Sequence, residues 1–345
     1  MRTIAASALV IACFTASAQT IDERAAAAGW TATHDPLCAT ATSNSPMTPF
    51  YWEIGDEDAT HARSGFAGIG APGNGDPMAI ASASKWVYAA YVAEKFGGSL
   101  SAYDIRFLTM SSGYVGMGEN QCNPSVSTGP QTVDQCLAKA TNGTYFPALD
   151  GYWIYNSGHF ENHAVHAGTG GSGNVLDLGA YDENDLGLEF TSTLHHLFLF
   201  AQPLLAGGMV TTPARYAAFL RDILRNDLQI SGLLGTNARC TNNSDPLHPC
   251  PTTIASNGNP VHSELYWNYS LGHWVESDPD HPDAENGDGS FSGGGSRGFY
   301  PWVDSSKQWY GIVARDAQRS LVEEGWNSYR CGARIRLAWI TASHP

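Results

Sequence analysis

The segment that opens at Ser82 and runs through Trp86, Val87, Ala90, Val92, Ala93 and Phe96 to Gly97-Gly98 is apolar or small almost all the way round. Such a helix lies at the centre of a domain, because no face of it suits water. The rest of the chain must then supply layers around it. Residues 48–54 read as a strand and 64–69 as a second, with a Gly/Pro/Asn stretch over 70–77 leading into the helix. From residue 100 to about 264 the pattern is mainly helical with long loops, and the best-defined helix is 213–226, with Tyr216, Phe219, Leu220 and Ile223 on one face. Strand character returns at 270–275, 297–303 and 309–315, and 329–342 reads as a final helix. Strands at both ends with helices between predict a mixed α/β (α+β) fold, an antiparallel sheet flanked by helices with a large helical insertion. The boundaries are a sheet subdomain from 19–81 plus 265–345 and a helical subdomain from 82–264.

At 345 residues, one core with a large insertion fits better than two independent domains. The formal charge of -15 argues against unspecific nucleic-acid binding, which depends on cations neutralising phosphates. Residues 1–18 have the three-part layout of a signal peptide: Arg2, an apolar run over 4–14, and Ala16-Ser17-Ala18 before Gln19. Cleavage after Ala18 is expected, giving a secreted or periplasmic protein; the alternative is lipid anchoring at Cys13. No later segment is apolar for long enough to span a bilayer. Cleavage leaves Cys38, Cys122, Cys136, Cys240, Cys250 and Cys331, an even set that in an exported chain points to disulfides. Local pairing of Cys122 with Cys136 and of Cys240 with Cys250 is the simplest choice. Cys38 with Cys331 then follows by elimination from the fifteen connectivities open in principle.

Ser82-Ala83-Ser84-Lys85 places a hydroxyl and an amine three residues apart, on one face of the central helix. The helix start offers unpaired N–H groups able to hold an oxyanion. A lysine in an otherwise apolar helix is expensive to bury without a task, and taking a serine proton is one.

Further motifs follow in a recognisable order. Leu108-Thr109-Met110-Ser111-Ser112-Gly113, Tyr155-Asn156-Ser157, residues 206–212 from Ala206-Gly207-Gly208, Tyr269-Ser270-Leu271-Gly272-His273-Trp274 and the Gly293-Gly294-Gly295 run succeed the S-x-x-K tetrad. This series resembles the β-lactamase and penicillin-binding superfamily of S-x-x-K serine hydrolases, especially its class C and esterase-like branch, over roughly residues 48–345. The resemblance implies a β-lactamase/transpeptidase-like fold, with Ser82 as nucleophile, Lys85 as acylation base and Tyr155 as second proton carrier. It implies an oxyanion hole from the N–H of Ser82 and one near Ser292 or Gly293.

The sequence departs from the family pattern twice: Ser157 stands where Asn is usual, and Phe291 where Lys or His meets an anionic substrate, with Arg297 near enough to substitute. The expected function is an exported serine hydrolase that forms an acyl-enzyme on Ser82 and cleaves an ester or amide of a neutral or apolar acyl group. The alternatives are β-lactamase or D-Ala peptidase activity, or a non-catalytic ligand-binding role. The expected partner is a small-molecule or peptide-like substrate, acting on a monomer with no cofactor and no metal.

Three rival features compete for a site. Gly294-Gly295-Ser296-Arg297-Gly298 matches the nucleophile elbow G-x-S-x-G, with Asp304 or Asp316 and His344 as potential partners. His159, His163 and His166 have the spacing of one helical face and could ligate a metal. Asp278, Asp280, Asp283, Glu285 and Asp288 could gather oxygens around calcium, but they do not match the EF-hand order and a solvated acidic loop is the favoured reading.

Overall fold

A computed structural model describes residues 19–39, 47–118, 122, 131–166, 175–242, 250, 253, 265–277, 287–317 and 322–345. The expected signal peptide, with Cys13, lies outside the described residues. The lead-in that the sequence reading passes over is helical: α1 spans Ile21–His34 and is started by a capping box, Thr20 accepting from the Glu23 N–H while Glu23 accepts from the Thr20 N–H. The short α2 (Pro36–Ala39) follows. Strands β1 (Phe50–Gly55) and β2 (Arg63–Ala67) form a hairpin close to the expected positions. The brief β3 (Met78–Ala79) then leads through a 3-10 turn into the central helix α3, Ser84–Lys95.

The insertion carries α4 (Ala102–Leu108), α5 (Val133–Leu137), α6 (Gly158–His166), α7 (Glu183–Leu194), β4 (Leu199–Phe200), β5 (Met209–Thr211), α8 (Pro213–Leu224) and β6 (Arg239–Cys240). The chain finishes with β7 (Asn268–Tyr269), β8 (Trp274–Ser277), β9 (Asp288–Ser292), β10 (Tyr300–Val303), β11 (Tyr310–Ala314) and the long α9, Val322–Thr341.

Eight strands form one antiparallel sheet in the order β2-β1-β11-β10-β9-β8-β7-β6, and β3, β5 and β4 form a second, small one. Neighbouring residues of a strand point to opposite faces. Trp302 of β10 meets Arg336 of α9, while Tyr310, paired with the next residue Val303, meets Arg221 of α8. The two helices therefore cover opposite faces of the sheet. The segment 82–264 thus gives the large sheet both a strand, β6, and a covering helix, α8.

Two predicted strands change form. Residues 270–275 are not continuous: 270–273 make the turn between β7 and β8, where Gly272 has φ +71° and any Cβ would lie 2.3 Å from the Lys85 carbonyl oxygen. Only a glycine can bring that turn so close to α3. Likewise 297–298 belong to the turn before β10, and α9 begins seven residues earlier than its apolar pattern suggests, with acidic Glu323 and Glu324 in its first turn.

Residues 84–93 of α3 are all buried, as its sequence predicts. Disulfides join Cys38 to Cys331, Cys122 to Cys136 and Cys240 to Cys250, matching the expected pairing. The first ties α2 to α9 across a sequence separation of 293 residues. Cross-linking so distant a pair removes much freedom from the unfolded chain. Replacing Cys38 and Cys331 together by alanine is expected to lower unfolding free energy by about 2–4 kcal/mol, measured by urea denaturation under non-reducing conditions.

Candidate active site

Ser82 sits where β3 turns into α3. Ala81, just before it, has φ +46°, a left-handed conformation that a non-glycine residue adopts at some cost. The turn is braced from below: the Ser84 hydroxyl donates to the Ala81 carbonyl at 2.6 Å and accepts from the Met209 N–H at 3.3 Å, fastening it to β5. One turn on, Lys85 is 1% exposed. Its ammonium nitrogen lies 3.0 Å from Ser82 Oγ and 2.8 Å from the Ala206 carbonyl oxygen. The S-x-x-K spacing therefore yields a direct hydroxyl–amine contact.

Tyr155 comes from the opposite wall. Its ring centroid is 4.9 Å from Lys85 Nζ, and the ring is stacked on Trp274 at 5.6 Å with an edge contact to Tyr269 at 5.9 Å. The segment carrying it is fixed at the preceding residue, because the Ile154 N–H donates to the Met110 carbonyl and His159 Nε2 donates to the Ile154 carbonyl. His159 Nδ1 accepts from the Ser112 hydroxyl at 2.6 Å and from its N–H, so the ring is a neutral imidazole with its proton on Nε2. Burial, with the nearby Lys85 charge adding to it, pulls its pKa down to about 3.

The third wall is the turn between β9 and β10. A Cβ on Gly293 would lie 3.7 Å from the Ala83 Cα, and one on Gly295 would lie 2.2 Å from the Ile80 carbonyl oxygen, so this glycine run abuts the residues around Ser82. The second oxyanion donor is expected near Ser292 or Gly293. The Gly293 N–H is already bonded to the Pro301 carbonyl at 3.1 Å, and Gly295 to Phe299 at 2.8 Å. Between them, the Gly294 N–H has no acceptor among the described residues.

The remaining residues singled out from sequence are placed differently. Ser292 is buried, with its hydroxyl on Glu276. The Phe291 ring meets His273, Gly235 and the Lys307 ammonium, and among the described residues its ring contacts do not include Ser82, Lys85 or Tyr155. Arg297 pairs with Asp316 at 2.6 Å. Ser157 is buried at the entry to α6, where its carbonyl accepts from the Phe160 and Glu161 N–H groups. Sequence reasoning did not single out Gly294, Glu161 or the Ser112–His159 pair. The signal for the last two was the polar run His159, Glu161, Asn162 and His163, all wholly buried.

Among the described residues, the rival sites do not assemble. Residues 294–298 turn between two antiparallel strands, where an elbow needs a strand followed by a helix. Asp304 caps the β10–β11 turn, Asp316 holds Arg297, and His344 packs on Trp30. The three histidines turn their nitrogens to separate partners: His159 to Ser112 and Ile154, His163 to Tyr88 and Asp104, and His166 to Asn162. Of the acidic run, Asp288 binds Arg336, and the other four residues lie outside the described ones.

This combination of sheet, central helix and insertion is the β-lactamase/transpeptidase-like fold. Three solved structures illustrate it. The D-amino acid amidase of Ochrobactrum anthropi superposes with a TM-score of 0.56 at 11% identity, covering 93% of this chain and 98% of its own. Simvastatin synthase from Aspergillus terreus gives 0.54 at 14% identity, covering 92% and 99%. A penicillin-binding protein from Bacillus halodurans gives 0.53 at 13%, covering 83% and 95%. Neither a protein-family model nor a curated protein sequence matches this chain.

Proposed function

We propose that this protein is a serine hydrolase that acylates Ser82 and hydrolyses an ester or amide with a neutral acyl group. The observation that carries the reading is the contact between Lys85 Nζ and Ser82 Oγ at 3.0 Å, with the amine aimed by the Ala206 carbonyl. In the reaction, neutral Lys85 takes the Ser82 proton as Oγ bonds to the substrate carbonyl carbon. The carbonyl oxygen takes up the negative charge and is held by the N–H groups of Ser82 and Gly294. Tyr155, against the Lys85 amine, passes a proton to the departing alcohol or amine as its bond to carbon breaks. Water then attacks the acyl-enzyme, its proton moves to the Lys85–Tyr155 pair, and Ser82 leaves with a proton returned.

Two features support a neutral substrate. The nearest cation on the β9–β10 turn, Arg297, is engaged by Asp316, and β9 (Asp288–Ser292) carries no Lys, Arg or His of its own. Beside Tyr155, Trp274 and Tyr269 add aromatic surface suited to apolar groups. Without a charge-assisted hydrogen bond, an anionic substrate forgoes about 1.5–3 kcal/mol. Neutral short-chain or aryl esters are thus expected to be cleaved about 10–100 times faster, in kcat/KM, than matched carboxylate substrates, β-lactams included. A panel of paired neutral and anionic substrates tests it, and faster cleavage of the anions that Arg297→Ala removes would contradict it. Export to an oxidising compartment belongs to the same reading and is supported by the three disulfides.

A further inference from the structure

We propose that Glu161 is a positioning residue for Lys85, acting through the backbone of Ala206; the inference rests on Ser82 and Lys85 acting as nucleophile and base. Glu161 is a wholly buried carboxylate on α6. Its Oε1 accepts from the Ala206 N–H at 2.9 Å, and the carbonyl of the same residue accepts from Lys85 Nζ at 2.8 Å. A single residue's backbone thus bridges the carboxylate and the amine. The loop around it is tight, with the Gly207 and Gly208 N–H groups both on the Leu204 carbonyl, so the Ala206 carbonyl can be aimed rather than left to wander. If the Ala206 N–H loses its acceptor, the 205–206 peptide unit can turn about the Ala206 backbone and shift the carbonyl on its other side, loosening the partner that points the Lys85 amine at Ser82.

A buried carboxylate is tolerated only near positive charge or ample hydrogen bonding. Tyr88, one turn beyond Lys85 on α3, registers its proximity: burial first, and then the Glu161 charge, push the Tyr88 hydroxyl well above its usual range. The other titratable groups facing this cluster are few. His159 on α6 is neutral, and His163 on α6 is held between Tyr88 and Asp104 of α4, its pKa lowered by burial against the pull of Asp104. Tyr155 covers the amine from the far side. Among the described residues, Glu161 is the carboxylate bonded to the Ala206 N–H, on the residue whose carbonyl holds the Lys85 amine.

Two variants test the bond to the Ala206 N–H. Glu161→Asp keeps the charge but retracts it by one methylene from the Ala206 N–H. Glu161→Gln keeps an acceptor oxygen at that N–H but removes the charge. The readout is the pH dependence of Ser82 labelling by a fluorophosphonate and of kcat/KM on an aryl ester, each divided by the folded fraction from near-UV circular dichroism. Glu161→Asp should lower the plateau about tenfold, chiefly in kcat, without moving the acid limb. Glu161→Gln should restore the plateau to within about threefold of wild type, because its amide oxygen still accepts from the Ala206 N–H. Wild-type profiles in both variants, or equal plateau losses in both, would overturn the inference, the latter indicating packing alone. Absence of any label on wild-type Ser82 would instead overturn the acyl-serine reading beneath it.

Discussion

Replacing Ser82 by alanine is expected to lower kcat/KM by about 10⁴- to 10⁶-fold, leaving only what substrate binding and the oxyanion donors provide. The size follows from its position: Oγ is the one hydroxyl in contact with the Lys85 amine, at the turn that β3, β5 and the glycine run hold in place. Without it no acyl-enzyme forms. The stability cost should be small, since Ser82 is only partly buried and the turn is braced by Ser84 rather than by Ser82. Ser296→Ala is the internal control and should retain most activity, because Ser296 lies in a turn between antiparallel strands, not at the strand-to-helix elbow that a G-x-S-x-G nucleophile needs. A reversal, with Ser296→Ala inactive and Ser82→Ala active, would move the chemistry to the G-x-S-x-G segment. Steady-state kinetics on one aryl ester decides between them.

Lys85→Ala is expected to reduce kcat by about 10⁴-fold, with far less change in KM. In the proposed reaction Lys85 contributes to a step and not to substrate contact: it would take the Ser82 proton at the moment Oγ becomes a nucleophile. Lys85→Arg should be nearly as damaging, because a guanidinium stays protonated and cannot accept that proton, whatever hydrogen bonds it keeps. This pair of variants separates base catalysis from electrostatics. If Lys85→Arg retained activity within about tenfold, the residue would be serving as a fixed positive charge, and the proton would have to go elsewhere, Tyr155 being the nearest group. Both variants need a folding check, since truncating a side chain that is 1% exposed leaves a cavity beside Ala206.

What could be read from the sequence followed local periodicity and spacing. The burial of α3 was legible because its apolar residues leave no polar face, and the Ser82–Lys85 contact because spacing of three fixes it on a helix. The disulfide partners emerged from loop length and elimination. Tyr155 emerged only from motif order, since nothing in its neighbours reveals that it will lie over an amine from another element.

What was illegible depends on tertiary register. Which N–H near Gly293 stays free could not be read, because the turn after β9, and the Pro301 carbonyl that occupies the Gly293 N–H, are set by strand pairing. The break at 270–273 reflects contact of Gly272 with α3, a constraint invisible in strand propensity. The α1 helix was passed over although Thr20 and Glu23 form the capping pair that announces it. Glu161 was missed because a lone acidic residue in a mixed helix reads as a solvated one until the Ala206 N–H is found against it.

The most direct test is the site of covalent modification in the wild-type protein. After treatment with a fluorophosphonate and proteolysis, peptide mass spectrometry should locate a single stoichiometric phosphonyl adduct on Ser82, absent in Ser82→Ala and slowed at least about a thousandfold in Lys85→Ala. An adduct on Ser296 or another hydroxyl, or ester hydrolysis that proceeds with Ser82 fully unmodified, would contradict the account.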